Sequence, residues 1–517
     1  MKREYKNFKK MLKKINDIKF YAIVLFLIFT WKSVINLNSQ QYFYGDDSWL
    51  LLGSRFDSLL DSLRCCAVSH PVFTIFAQSV FKILDFSTQN TIVFFLIYSN
   101  LLALLVWVLP EKILNNTEKL VALLLIISSP MFIQYGIRTK PYTTDVAISI
   151  ITIFLFYKIQ SDPKKIYFFS LGFLLLISLS NWPLIGSLLL INFVKYLKRK
   201  DIRSLSNICF FLPGVILSAI QIYRWRDPGM QNFVIAYYAP TEGGPFLFFR
   251  WLGYSFIRYF GESNKLDLGF FQFPLSISIL FFLIGSYYLL RNNPNFLLFS
   301  IVGIFINLIA AILKIWPFGG FRSSIYLLPI FCIFFVKGLH YSISFLRNIK
   351  LSSAIVFSLV IYLFLNLQTP NYEQTTRYFD NIKFQEVIKE IDTSKDDFLI
   401  YHGGLQTTAL YSSNDIYLED INYFDIGRGT EGFHIPIFKN KNLHIACTKY
   451  IGSDEGKDCL DSNLEFLDSF EGERIKLVGV HIRDHQLIPY IQAFQISGWN
   501  IINIDFLNEV AIIEYAK

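Results

Sequence analysis

The chain has 517 residues, 53% of them hydrophobic, with a mean hydropathy of +0.40, and this excludes an ordinary soluble protein. The formal charge of +8 does not call for nucleic acid, because eight Lys and Arg lie in residues 1–19, ahead of the first apolar run, as in a cytoplasmic flank. Six cysteines are scattered without metal-ligand spacing, so a structural zinc site is not expected; a Cys447–Cys459 disulfide stays open if that region is extracytoplasmic.

In chain order, residues 20–35 form the first apolar run, which lacks a small-residue cleavage site and reads as a retained span. Further apolar runs, most of them long enough for a hydrocarbon core of about 30 Å and the shortest being 183–195 and 324–337, are expected near 91–109, 119–136, 142–158, 166–181, 183–195, 205–222, 267–290, 295–313, 324–337 and 351–367. With 20–36 they make eleven. Residues 72–84 are left out: the stretch is short, carries Gln78 and Lys82, and suits a helix lying at the interface. Loop charge supports that choice. Lys158, Lys164, Lys165, Lys195, Lys198, Arg199, Lys200 and Arg203 then fall in cytoplasmic connections, and the N-terminus is inside. Residues 37–90 become the first outer loop, and 245–260 read as a second interfacial helix after a Gly243-Gly244 hinge.

After Leu367 the composition turns polar and charged. Helical spacing over 384–391 and 488–497, with strand patterns at 397–401, 475–482, 501–504 and 511–515, predicts a small α/β domain over 368–517. The expected fold is thus a polytopic α-helical membrane domain, residues 1–367, followed by an extracytoplasmic α/β domain.

Four polar clusters fall on the outer side of this topology. Asp46-Asp47 follow the first span at once, and ionised carboxylates at that depth carry a hydration cost. A plain alternative is that one of them caps a helix over 48–63. Ser69-His70-Pro71 stand ahead of the interfacial helix, where a lone His is commonly structural. Residues 138–145 bring Arg138, Lys140, Tyr142 and Asp145 to the mouth of a span, with Pro141 suited to a first helical turn; the combination reads as an anion site. Here the plain alternative is a cation reaching the headgroups with Asp145 paired to it. Gly319-Gly320-Phe321-Arg322 lead into Tyr326-Leu327-Leu328-Pro329, where glycines allow close approach and Arg322 supplies a planar fork for phosphate.

In this order the motifs resemble those of the GT-C membrane glycosyltransferases, in the branch of protein O-mannosyltransferases and lipid A aminoarabinose transferases. The resemblance covers roughly residues 20–370 as topology. It implies a polyprenyl-phosphate sugar donor, inverting transfer to an acceptor hydroxyl outside the cytoplasm, and a plasma-membrane location. It further implies that Asp46 is the general base and that Asp47 orients the acceptor or a sugar hydroxyl. Arg138, Lys140 and Arg322 would hold the lipid phosphate, while His70, Tyr142 and Asp145 would contact substrate. Two departures stand out: Asp-Asp replaces the family's frequent Asp-Glu, and Ser69 and Val72 flank His70-Pro71 where a Lys or second Pro is common. No cofactor is expected, although paired carboxylates can hold a divalent cation. Two rival readings remain: a transporter of polyprenyl-linked sugars, and an oligosaccharide transferase or polymerase.

Overall fold

The computed structural model describes residues 21–35, 37, 43, 46–58, 70–225, 238–240, 244–260, 269–319, 322–345, 349–367, 381–400, 402–412, 416–417, 437–438, 442–445, 455–480, 484–507 and 510–517. Two compact units emerge: one from residues 1–37, 93–221 and 234–370, the other from 38–92, 222–233 and 371–517.

The first unit is helical. Each of the eleven stretches expected to span contains helix, although 269–274 of the stretch 267–290 lie outside it. Six helices are long and apolar enough to cross a bilayer: Thr88–Val108, Tyr142–Ser161, Ile202–Ala219, Leu275–Asn292, Pro294–Ile312 and Ser323–Ser344. A seventh results if Asn116–Ile127 and Pro130–Gly136, bent by 60°, count as one. Six or seven among the described residues is the number that length and composition support, against the eleven expected. The shortfall has local causes. Ser129 accepts from the Phe132 amide at 3.4 Å and Pro130 opens a new helix, so that run breaks. Lys165–Ile177 stops at the extended Ser178, and a 3-10 turn leads into Trp182–Arg199, whose last turn is basic. Tyr21–Ile35 and Ala354–Leu365 are simply short.

Packing between spans uses small residues and rings. Gly285 and Gly338 face each other's helices so closely that a Cβ on either would strike the partner backbone at Phe334 or Phe281. The chain's 53 Phe supply much of the remaining contact: Phe331 sits 4.9 Å from Phe282, 5.1 Å from Tyr259 and 5.3 Å from Phe270 between ring centroids. Tyr142–Ser161 and Ser323–Ser344 form the centre of this unit, being 78% and 89% buried against 17% for Leu275–Asn292.

The second unit joins the 38–92 region to the C-terminal region. It contains a short helix, Asp46–Leu52, a helix Pro71–Ile83, and a sheet with its own helices. At 13 residues, Pro71–Ile83 extends about 20 Å, less than a hydrocarbon core, in keeping with its exclusion from the spans. Strands are numbered in chain order: β1 Asp397–Ile400, β2 Ile416–Tyr417, β3 Ile437–Phe438, β4 Leu443–Ile445, β5 Arg474–Val480, β6 Asn500–Leu507 and β7 Val510–Ala516. The main sheet has order β4-β1-β5-β7-β6, parallel from β4 to β5 and antiparallel on both sides of β7. Helices Asn381–Thr393 and Asp484–Ile496 and four of these strands match the sequence pattern; helices His402–Tyr411 and Glu455–Ser469 are additions. Phe494 stacks on Tyr515 at 3.7 Å within a core closed by Leu477, Trp499 and Ile513. Cys209 and Cys332 are free thiols, whereas the Cys447–Cys459 pairing lies outside the described residues.

Candidate functional site

In the second unit the acid pair does not cap a helix over 48–63. The helix is Asp46–Leu52, so both acids occupy its first turn, where unsatisfied N–H groups favour carboxylates. It tightens into a 3-10 turn at Gly53–Arg55 and ends as Phe56 becomes extended, with the Ser54 hydroxyl donating back to the Leu51 carbonyl at 2.6 Å. Asp47 is 0% exposed; the side chain of Asp46 lies outside the described residues. One flank is the Pro71–Ile83 helix, whose buried Gln78 amide donates to the Leu50 carbonyl at 2.8 Å. His70 stands at the N-cap of that helix, half-buried, its carbonyl accepting from the Thr74 amide at 2.9 Å. Its visible part is to start a helix that Pro71 then continues.

The other flank belongs to the C-terminal region, through the helix His402–Tyr411. Thr407 donates its hydroxyl to Ser48 Oγ at 3.0 Å, and the Phe43 amide donates to the Tyr411 hydroxyl at 2.9 Å. Arg55 donates to the carbonyls of Leu410 and Ser412 at 3.4 and 3.2 Å, at the end of the same helix. Nothing in the sequence spacing links positions this far apart.

In the first unit, Arg138 and Lys140 lie in the turn between Pro130–Gly136 and Tyr142–Ser161, and they are 5% and 9% exposed. That degree of burial does not suit cations reaching out to headgroups. Tyr142 opens the long helix with Pro141 as its N-cap and sets its ring 4.9 Å from Tyr135. Asp145 is 0% exposed. Its Oδ1 accepts from the Ser178 hydroxyl at 2.5 Å, and its backbone carbonyl accepts from the Asn181 amide group at 2.9 Å. Among the described residues it forms no ion pair, so the expected alternative of a pairing with Arg138 or Lys140 does not hold.

The 3-10 helix Arg322–Leu327 packs on the Tyr142–Ser161 helix. Tyr326 is fully buried there, as is Tyr259, whose hydroxyl accepts from the Gly319 amide at 3.0 Å. Gly319 takes a φ of 108°, a backbone shape that disfavours other residues. Side-chain contacts of Arg322 lie outside the described residues. The structure therefore gathers Arg138, Lys140, Tyr142 and Asp145 with the Arg322 turn in one unit, and Asp46, Asp47 and His70 in the other. Ser178, Asn181, Thr407 and Tyr411 carry no motif, so spacing and composition do not single them out.

These helices define a multi-pass membrane protein with a mixed-sheet region at its C-terminal end. No known family profile matches the chain, and no curated protein matches it either. Among solved structures, three of the oligosaccharyltransferase from Archaeoglobus fulgidus are similar to it. The complex with Zn and sulfate is 12% identical with a TM-score of 0.46, covering 89% of this chain and 68% of that one. The form tethered to an acceptor peptide containing the NVT sequon is 13% identical with a TM-score of 0.41, over 76% and 59% of the two chains. The apo form is 13% identical with a TM-score of 0.38, over 76% and 63%. All three are remote likenesses of chain path, and the chain spans less than two thirds of the latter two.

Proposed function

We propose that this protein is an inverting glycosyltransferase that moves a sugar from a polyprenyl-phosphate donor to an acceptor hydroxyl at the outer face of the membrane. The observation that carries this reading is the acid pair: adjacent carboxylates in the first turn of a short helix, Asp47 fully buried, gripped from both sides. Carboxylates carried on a helix turn held in this way suit proton abstraction from a bound hydroxyl. Asp46 takes the acceptor proton while the acceptor oxygen attacks the anomeric carbon. The bond from that carbon to the phosphate oxygen breaks, and the lipid phosphate leaves with the electron pair. Neighbours on a helix point about 100° apart, so Asp47 has a different task, orienting the acceptor or a sugar hydroxyl. Arg138, Lys140 and Arg322 neutralise the leaving phosphate, and His70, Tyr142 and Asp145 contact substrate. The N-terminus is cytoplasmic in this reading, and residues 368–517 form an extracytoplasmic domain.

A second reading, a transporter of lipid-linked sugar, is favoured by one feature: a fully buried Asp145 in the first turn of a span, without an ion pair among the described residues. Incubating purified protein with a panel of polyprenyl-phosphate sugars and acceptors separates the two. A transferase releases polyprenyl phosphate in step with a new glycoside. A transporter moves the intact donor across a proteoliposome membrane and cleaves nothing; that outcome overturns the proposal.

A further inference from the structure

We infer that the C-terminal region takes part in the reaction by holding the acid pair in place, with Tyr411 as its main positioning residue. The inference rests on the transferase reading above. Its basis is that three contacts from one helix bracket the acids. Tyr411 fixes the Phe43 backbone three residues before Asp46, Thr407 fixes Ser48 one residue after Asp47, and Arg55 closes on the carbonyl end of the helix carrying both. Thr407 and Tyr411 are four apart and share one helical face, so one rigid element addresses both sides of the acids.

Tyr411 is more than a single bond. Its hydroxyl also pairs with Thr88 Oγ1 at 2.6 Å, and its ring meets Phe81 edge-on at 6.4 Å, while Phe81 meets Phe43 at 5.9 Å. One side chain thus ties the entry to the acid helix, the Pro71–Ile83 helix and the start of the Thr88–Ala103 helix. Seven helical residues do not hold their own shape in water; the short Asp46–Leu52 helix depends on such outside contacts for its orientation. Phe43 and Ser48 are themselves buried, so the clamp is shielded from competing water. Proton transfer needs heavy atoms within hydrogen-bond reach, and a shift of about 1 Å in a supporting element costs up to ~10²-fold in rate.

The test uses full-length protein in detergent. Tyr411→Phe keeps the ring against Phe81 and removes the hydroxyl, and Thr407→Val keeps shape and removes the donor. Each is expected to lower kcat about 10- to 100-fold with the donor KM unchanged, and to speed hydrogen exchange across 46–52. Added to Asp46→Asn, Tyr411→Phe is expected to cause no further loss, since it acts through the acids. Wild-type kcat with unchanged exchange overturns the inference, as does a fully additive loss, which marks a general structural role. If Asp46→Asn and Asp47→Asn both turn over normally, the transferase assignment of the acids fails instead, and the exchange measurement still decides whether the clamp exists.

Discussion

The Ser178 hydroxyl donates to Asp145 Oδ1 at 2.5 Å, so a residue at the break between two helices supports a carboxylate in the first turn of a third. Asn181 completes the arrangement by donating both to the Asp145 carbonyl and to Ser178 Oγ, at 2.9 and 2.6 Å. A buried carboxylate that pairs with no cation among the described residues depends on such donors. Ser178→Ala is therefore expected to cost about 1–3 kcal/mol, the desolvation penalty of a group left unsatisfied. Adding Asp145→Asn to it is expected to recover part of that loss, because a neutral amide is less costly to bury. Thermal unfolding in detergent reads both, and an unchanged melting point for Ser178→Ala refutes the account.

Elsewhere in the same unit, Lys337 Nζ donates to both oxygens of Glu118 at 2.9 and 2.8 Å, with the side chains 7% and 4% exposed. Glu118 also completes a capping box with Asn115, so one carboxylate starts its own helix and ties it to the Leu328–Phe345 helix. Removing one partner, as in Lys337→Met, is expected to cost up to about 3–5 kcal/mol, because it leaves the buried Glu118 with only the Asn115 amide at 2.7 Å and the half-exposed His340 ring at 3.5 Å. The double replacement Glu118→Gln with Lys337→Met is expected to be milder than either single one. If the double variant is the sum of the singles in a double-mutant cycle, the pair is not coupled.

Much of this architecture was legible in the sequence, and what escaped has physical reasons. Long apolar runs announce helices because the bilayer demands satisfied backbone groups, so each of the eleven stretches contains helix. Breaks inside the runs are harder to read: Ser129-Pro130 bends one by 60°, and Ser178 ends another early, although neither is unusual in composition. The turn carrying Arg138 and Lys140, with Asp145 at the start of the following helix, was visible as charge in an apolar setting. Its supports were not, since Ser178 and Asn181 look like ordinary helix-end residues. The link from Ser48 to Thr407 spans 359 positions and leaves no periodic trace.

The orientation of the acid pair is open to direct labelling. Asp57 is exposed two residues beyond Arg55, in the same unit as Asp47. In a background stripped of native cysteines, Asp57→Cys is expected to react with a membrane-impermeant thiol reagent in intact cells. Reaction only after permeabilisation places the acids on the cytoplasmic side and removes the outer-face reading.

Acid sensitivity is expected in the C-terminal sheet. Lys476 Nζ donates to Asp396 at 2.7 Å and to Glu390 at 2.5 Å, and the bond from Lys476 holds the Asp396 carboxyl below its usual range. Burial pulls Lys476 down, but its bonds to Asp396 and Glu390 prevail and raise it. A depressed carboxyl contributes stability above its unfolded value, near pH 4, and loses it as pH falls through the folded one. The raised lysine contributes fully below about pH 10.4 and loses this only as pH climbs through its folded value. With Asp396 43% exposed, solvent screening limits the effect to roughly 1 kcal/mol or less. Lys476→Met is thus expected to melt slightly lower than wild type at pH 7 and to converge with it near pH 3. A gap that persists in acid points instead to the Lys476 ammonium over the Phe398 ring, 5.8 Å from its centroid.

The acid pair itself gives the sharpest test of chemistry. Asp46→Asn is nearly isosteric but cannot take a proton at neutral pH, so transfer is expected to fall by at least ~10²-fold with donor binding retained. Because Asp46 and Asp47 both lie in the helix's first turn, each substitution also removes a charge that the helix N-terminus favours. That cost is about 0.3–1 kcal/mol at an exposed site and up to ~2 kcal/mol where the carboxylate is buried, as Asp47 is, and it appears in stability rather than in turnover. Comparing kcat with melting temperature for both variants therefore separates the base from its neighbour. If Asp47→Asn abolishes turnover while Asp46→Asn does not, the two roles are exchanged. Arg322→Ala supplies the complementary measurement, with an expected loss of about 1.5–3 kcal/mol in binding of the polyprenyl-phosphate sugar. Arg322→Lys restores charge without the planar fork, so only partial recovery is expected. Full recovery by Lys reduces the arginine to a point charge, and unaltered donor binding in Arg322→Ala removes it from the phosphate site.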